Sequence, residues 1–84
     1  MAKVVIYTKE SCPYCVRAKQ LLQGKNVPYE EHNLENKPDE LEALKARTKM
    51  RTVPQIFIND QLIGGFTELL NLQTSGKLDT LLGA

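Results

Sequence analysis

The chain has little of what several function classes require. Its net charge is only +1, and aromatic residues make up 6% of its 84 positions. A general polyanion binder would draw a stronger basic bias with interleaved aromatic side chains, so nucleic acid is not an expected partner. Long hydrophobic runs are missing as well. After Met1, Ala2 and Lys3, the apolar stretch Val4-Val5-Ile6-Tyr7 gives way to Thr8 and Lys9. That is too short for the apolar core of a signal peptide and far too short for a membrane span. A cytoplasmic protein is therefore expected, in a compartment that keeps thiols reduced. There are no internal repeats and no low-complexity segments, and 84 residues leave room for one hydrophobic core. A single domain over residues 1–84 is the expected organisation. Histidine occurs once and cysteine twice.

What is present reads as α/β. Lys3–Thr8 is short and almost continuously apolar, the pattern of a central strand covered on both faces. A helix should follow the first cysteine, with Ser11 as its cap and Pro13 in its first turn. Cys15, Ala18, Leu21 and Leu22 fall on one face of it, and Gly24 and Asn26 stop it. Pro28–Asn33 is a weaker strand, poor in apolar residues. A second helix is predicted from about Pro38 to Thr48, with Leu41 and Leu44 facing inward and Asn36 as the cap. Gln55–Asn59 and Gln61–Gly64 form a tight hairpin turning at Asn59-Asp60. Gly64-Gly65 breaks the pattern before a third helix that carries Leu69, Leu70 and Leu72 and ends near Ser75-Gly76. Leu78, Leu81 and Leu82 keep helical spacing and are expected to cover the sheet. The order is βαβ, then helix, hairpin and helix. A right-handed crossover makes the first strand pair parallel, and the hairpin adds antiparallel strands. The expected architecture is a four-stranded mixed sheet flanked by helices. Cys12 falls where the carboxyl end of the first strand meets a helix N-terminus, a favoured place for ligand sites.

Cys12 and Cys15, in the segment SCPYC, admit three readings. A structural disulfide would close so short a loop that little denatured-state entropy is removed, and a reducing compartment opposes it. A structural zinc site needs about four ligands, whereas the chain offers these two cysteines and His32, twenty positions beyond Cys12. No metal site is expected. Redox chemistry accounts for more of the residues. A thiol attacks as its thiolate, and a helix N-terminus with Lys9 before it and Arg17 and Lys19 after it favours that form. Cys15, three residues on, shares a helical face with Cys12 and can reach a mixed disulfide formed there. Pro13 restrains the turn between them, and Tyr14 is free to line a groove. A CxxC segment beside a βαβ pattern points to thioredoxin-like redox chemistry.

Three segments taken together, YTKESCPYC, RTVPQIFI and IGGF, resemble those of the glutaredoxins, specifically the small bacterial dithiol class, and the resemblance runs the full length of the chain. It implies a thioredoxin-like fold and a glutathione-dependent thiol–disulfide oxidoreductase. In that class Cys12 matches the nucleophile that takes a glutathionyl group from a client protein, and a second glutathione resolves the adduct. For protein disulfides, Cys15 closes an intramolecular disulfide with Cys12. Glutathione is the reducing co-substrate, regenerated by glutathione reductase and NADPH, so no tightly bound cofactor is implied. The implied partners are glutathione and glutathionylated or disulfide-containing proteins; a monomer is the default expectation for a chain of this size.

The resemblance also assigns the binding residues. Thr52-Val53-Pro54 matches the loop in which the peptide before proline is cis, and the Val53 backbone would pair with the cysteinyl part of glutathione like an added strand. Gly65, Phe66 and Thr67 match the segment that receives the γ-glutamyl end, where glycine allows close approach and free helix N–H groups hold a carboxylate. Many relatives carry an acidic residue where Thr67 stands, and the adjacent Glu68 is the candidate substitute. Lys9 matches the cation near the glycyl carboxylate, and Tyr14 should flank the glutathione sulfur and glycyl end. Arg51, beside the TVP loop, is placed to attract an anionic tripeptide, while Lys45, Arg47 and Lys49 read as a solvated face. Two other functions compete. Some glutaredoxins carry a [2Fe–2S] cluster between two chains, against which Pro13 argues, because cluster-binding relatives more often have a small residue there. The other is a protein-interaction module with incidental thiols.

Overall fold

The computed structural model describes residues 2–83. Eight elements follow in the order β1 (Val4–Thr8), α1 (Pro13–Gly24), β2 (Glu30–Asn33), α2 (Pro38–Thr48), β3 (Gln55–Ile58), β4 (Gln61–Gly64), α3 (Phe66–Thr74) and α4 (Lys77–Leu82). The strands form one sheet of order β2-β1-β3-β4. β1 runs parallel to β2 and antiparallel to β3, and β3 and β4 are the antiparallel hairpin. This is the mixed four-stranded sheet that the element order predicts. Asn59 and Asp60 turn the hairpin with φ of 52° and 66°, the left-handed pair that matches the twist of the flanking strands.

β1 is central because its side chains are apolar on both faces. Val4 and Ile6 meet Ile56 and Ile58 of β3 over Ala18 and Leu22 of α1, Leu69 of α3, and Leu78 and Leu82 of α4. The alternate residues Val5, Tyr7 and Phe57 point to the opposite face, toward α2, where the Arg47 guanidinium lies 5.4 Å from the Phe57 ring centre. Leu44 is the buried anchor of α2, whereas Leu41 is only half-buried and lines a cavity beside Cys12. Leu70 of α3 faces outward, 39% exposed. Among the described residues, no helix is long and apolar enough to cross a membrane.

Several boundaries differ from expectation, each for a physical reason. β2 begins at Glu30, because Val27 and Tyr29 turn inward to pack on the core and leave the ladder. All four residues of β2 are exposed at the sheet edge. Neither Ser11 nor Asn36 is a helix cap. Proline at the first helical position of α1 and of α2 makes the preceding residue the cap, so Cys12 and Lys37 hold those places.

The edge strand is tied in by one polar contact. Thr8, 1% exposed, donates its hydroxyl to Glu31 Oε2 at 2.6 Å, and Lys19 Nζ lies 3.1 Å from the same oxygen. The Thr8 hydrogen bond, with help from Lys19, holds the Glu31 carboxyl below its ordinary value of 4.5. A carboxylate lowered in the folded state stabilises the fold above its unfolded pKa, and that contribution is lost as pH falls through the folded value. Glu31→Gln should therefore cost about 1–2 kcal/mol at neutral pH, with the gap from wild type closing as pH falls below 4.5. Urea unfolding over a pH series reads this out, and a gap independent of pH would refute the assignment.

Candidate active site

β1 ends at Thr8, and the following loop delivers Cys12 to the start of α1 in an extended conformation, φ −108° and ψ 105°. Pro13 at the first helical position has no N–H to leave unpaired. The next free donors point at the cap, and there the sulfur takes the acceptor role usually played by a hydroxyl or carboxylate. Cys15 N–H donates to Cys12 Sγ at 3.2 Å. On its other side the Cys12 thiol donates to Val53 O at 3.5 Å. Negative charge on this sulfur would sit at the positive end of the helix dipole.

The two thiols live in different surroundings. Both are free, Cys12 half-exposed and Cys15 1% exposed. Burial pushes the Cys15 thiol up from 9.0 to about 12, and the hydrogen bond and charge of Cys12 add to it. Cys15 therefore holds its proton across the neutral range, one turn beneath the more accessible sulfur.

A second wall is the loop from Met50 to Pro54. The Val53–Pro54 peptide is cis, as the resemblance implied. The loop is pinned from below by Gln55, which is fully buried at the head of β3. Its Nε2 donates to Met50 O at 3.2 Å and to Thr52 O at 3.1 Å, and its Oε1 has no hydrogen-bond partner among the described residues. Thr48 Oγ1 accepts from Met50 N at 3.2 Å at the other end. In the sequence, Gln55 reads only as a strand residue. Its signal was a polar residue opening an otherwise apolar run.

The third wall is the turn from β4 into α3. Gly64 has φ of 127°, and a Cβ there would lie 2.7 Å from Glu68 Oε1 and 2.8 Å from its Cγ. Gly65 caps α3, and Glu68 Oε1 accepts from Gly65 N at 2.7 Å, the reach-back half of a capping box. Phe66 stacks on Tyr14 with ring centres 6.1 Å apart, and the Arg17 guanidinium lies 5.5 Å from the Tyr14 ring centre.

Two cavities flank the divide formed by Thr52 and Val53. One, of about 360 Å³, is lined by Cys12 with the cations Lys9, Lys45 and Arg51. The other, of about 290 Å³, is lined by Tyr14, Met50, Pro54, Gly65, Phe66, Thr67 and Glu68. Lys9 and Tyr14 thus stand in different cavities. Cys15 is buried and lines neither. Larger hollows exist on the α2 face of the sheet and near the chain ends, about 480 and 520 Å³, but neither contains a thiol. His32 stacks on Tyr7 at 5.1 Å and pairs with Glu30 at 2.6 Å on the edge strand, apart from both cysteines. Among the described residues, no three His, Cys, Asp or Glu side chains converge in a way that could hold a metal ion. Lys45 and Leu41 beside Cys12, and Met50 in the second cavity, were missed as site residues, because only the fold of α2 and its loop places them there.

Two outcomes follow from this geometry. A thiol raised in the folded state stabilises the fold below its unfolded pKa and loses that contribution as pH climbs through the folded value. Wild-type stability should decline between pH 9.0 and about 12, and more steeply than in Cys15→Ala, as followed by urea midpoints; identical alkaline limbs would contradict it. Gly64→Ala should destabilise by more than about 1 kcal/mol, and by more than Gly76→Ala. Gly76 has φ of 79° but open space around it, so thermal unfolding of the pair separates the clash with Glu68 from the backbone cost.

The family model described as Glutaredoxin matches residues 4–63. A glutaredoxin of Pseudomonas aeruginosa is 48% identical over 84 residues, covering 100% of both chains. Glutaredoxin 3 of Escherichia coli K12 is 49% identical over 82 residues, covering 98% of this chain and 99% of the relative. Among solved structures, a buckwheat glutaredoxin–glutathione complex superposes with a TM-score of 0.90 at 32% identity, covering 98% of this chain and 77% of that one. With a redox-capable pair of thiols at the tip of α1 and relatives that match from end to end, the chain belongs to the glutaredoxin family.

Proposed function

We propose that this glutathione-dependent thiol–disulfide oxidoreductase reduces protein–glutathione mixed disulfides and protein disulfides, with Cys12 as nucleophile and Cys15 as resolving thiol. The observation that carries the assignment is the unequal setting of the two sulfurs. Cys12 Sγ accepts the Cys15 N–H at a helix N-terminus, while Cys15 is buried with its pKa raised to about 12. The first presents the Cys12 sulfur to a client, and the second keeps Cys15 from competing as a nucleophile.

The Cys12 thiolate attacks the glutathione sulfur of a client mixed disulfide. The Cys12–glutathione bond forms, the client–glutathione bond breaks, and the client leaves as a thiolate that takes a proton from water. A second glutathione thiolate then attacks the glutathionyl sulfur, releasing the Cys12 thiolate and glutathione disulfide. One glutathione enters as a thiol and the other arrives already oxidised in the mixed disulfide, so the exchange balances and the chain itself needs no tightly bound cofactor. With a protein disulfide, Cys12 attacks and releases one client sulfur. Cys15 then gives up its proton and displaces the other, and two glutathiones reduce the resulting Cys12–Cys15 disulfide.

Glutathione lies across the divide between the two cavities. Its cysteinyl backbone pairs with Val53, held between Thr52 and Pro54. Lys9 and Arg51 face the glycyl carboxylate in the basic cavity. The γ-glutamyl end reaches Gly65, Phe66 and Thr67, where free N–H groups at the start of α3 meet its carboxylate. Tyr14 and Phe66 form the aromatic wall, and Glu68 offers the ammonium a carboxylate where Thr67 offers a hydroxyl. The buckwheat relative with glutathione bound supports the choice of ligand. The chain works as a monomer in a reducing, cytoplasmic setting on glutathionylated or disulfide-containing clients.

In an assay coupled to glutathione reductase, Cys15→Ser should keep most of the turnover on a glutathione mixed disulfide. Cys12→Ser should lose on the order of 100-fold or more. Equal losses would rule out the one-cysteine route.

A further inference from the structure

The positive charge beside Cys12 extends past the cavity that holds it. Lys45 and Arg51 line that cavity and also a shallower one of about 480 Å³, completed by Glu42, Ala46 and Lys49 along the last turn of α2. Lys45 and Lys49 are one turn apart on the same helical face. Lys49 ends the helix with φ of 64°, and the chain turns back there to bring Arg51 alongside. Four cations, Lys9, Arg51, Lys45 and Lys49, therefore form a strip that starts at the reactive sulfur and runs away from it.

Little in the strip neutralises it. Among the described residues, Lys9, Arg51 and Lys49 form no ion pair, and Lys45 has only Glu42 at 3.9 Å, with that carboxylate 77% exposed. A chain of net charge +1 thus collects several cations on the flank where clients arrive. The proposed glutathione pose uses Lys9 and Arg51 but leaves Lys49, at the far end, without a ligand.

We infer that this strip is a docking surface for an acidic segment of the client protein, one whose modified cysteine is neighboured by several aspartate or glutamate side chains. The inference rests on the proposed function and names its substrate class. Exposed charges of this kind act mainly by steering encounter, so they raise association rates and are screened within a Debye length of roughly 10 Å at 0.1 M salt. The far end of the strip, at Lys49, consequently selects among clients without touching the sulfur chemistry.

The test compares three substrates: a glutathionylated peptide with acidic flanks, one of equal length with serine and asparagine flanks, and the small mixed disulfide of glutathione with mercaptoethanol. Wild type should show about tenfold higher kcat/KM on the acidic peptide at low salt, and the preference should fade as salt rises. Lys49→Glu should cut kcat/KM on the acidic peptide about three- to tenfold and leave the other two substrates unchanged. Lys49→Gln should give a smaller loss, and Ala46→Lys a gain, on the acidic peptide alone; these two variants carry the test if charge reversal disturbs the helix end. Equal loss on all three substrates, or no loss on the acidic peptide, would overturn the inference. Failure of wild type on the small mixed disulfide would overturn the proposed function and this inference with it.

Discussion

The contact between Cys15 N–H and Cys12 Sγ, at 3.2 Å, joins the architecture to the chemistry. A helix must satisfy its first N–H groups with something, and α1 satisfies one of them with the sulfur of Cys12. Every larger feature of the fold serves to hold that arrangement. β1 is buried on both faces and fixes where the chain enters the loop. Ala18 and Leu22 lock α1 against β1 and β3, and Pro13 removes the alternative donor. Because Cys15 belongs to the same helical turn, one hydrogen bond orients the exposed sulfur and keeps the buried one in register beneath it.

The rest of the site is backbone brought close to that sulfur by buried polar clamps. Gln55 spends its amide hydrogens on two carbonyls of the Met50–Thr52 stretch. Glu68 does the matching work at the start of α3, where its carboxylate takes the Gly65 N–H and occupies the space a side chain at position 64 would need. In both places a side chain outside the obvious motif decides where motif backbone lies.

Much of this was legible in the residues. The apolar continuity of Val4–Ile6 placed β1 at the centre, and Asn59-Asp60 marked the hairpin. The spacing of Cys12 and Cys15 gave them unequal positions on one helix. Ser11 and Asn36 carry the side-chain oxygens that helix caps favour, but the prolines at positions 13 and 38 fix the caps one residue later. β2 was faint because an edge strand held by pairing and by the Thr8–Glu31 bond needs no apolar face. Lys45 and Leu41 were out of reach, since periodicity places a residue on a face of α2 but does not say what loop lies opposite.

The sulfur cap also ties helix stability to the electron count of the protein. When Cys12 and Cys15 join as a disulfide, the sulfur can no longer carry charge, and the first turn of α1 keeps a weaker acceptor. Free energy that favours the dithiol form over the disulfide is the same quantity that makes the couple more oxidising, about 30 mV for each 1.4 kcal/mol. One backbone N–H thus acts as a voltage adjustment, and any change that loosens the first turn of α1 shifts the direction in which electrons prefer to move.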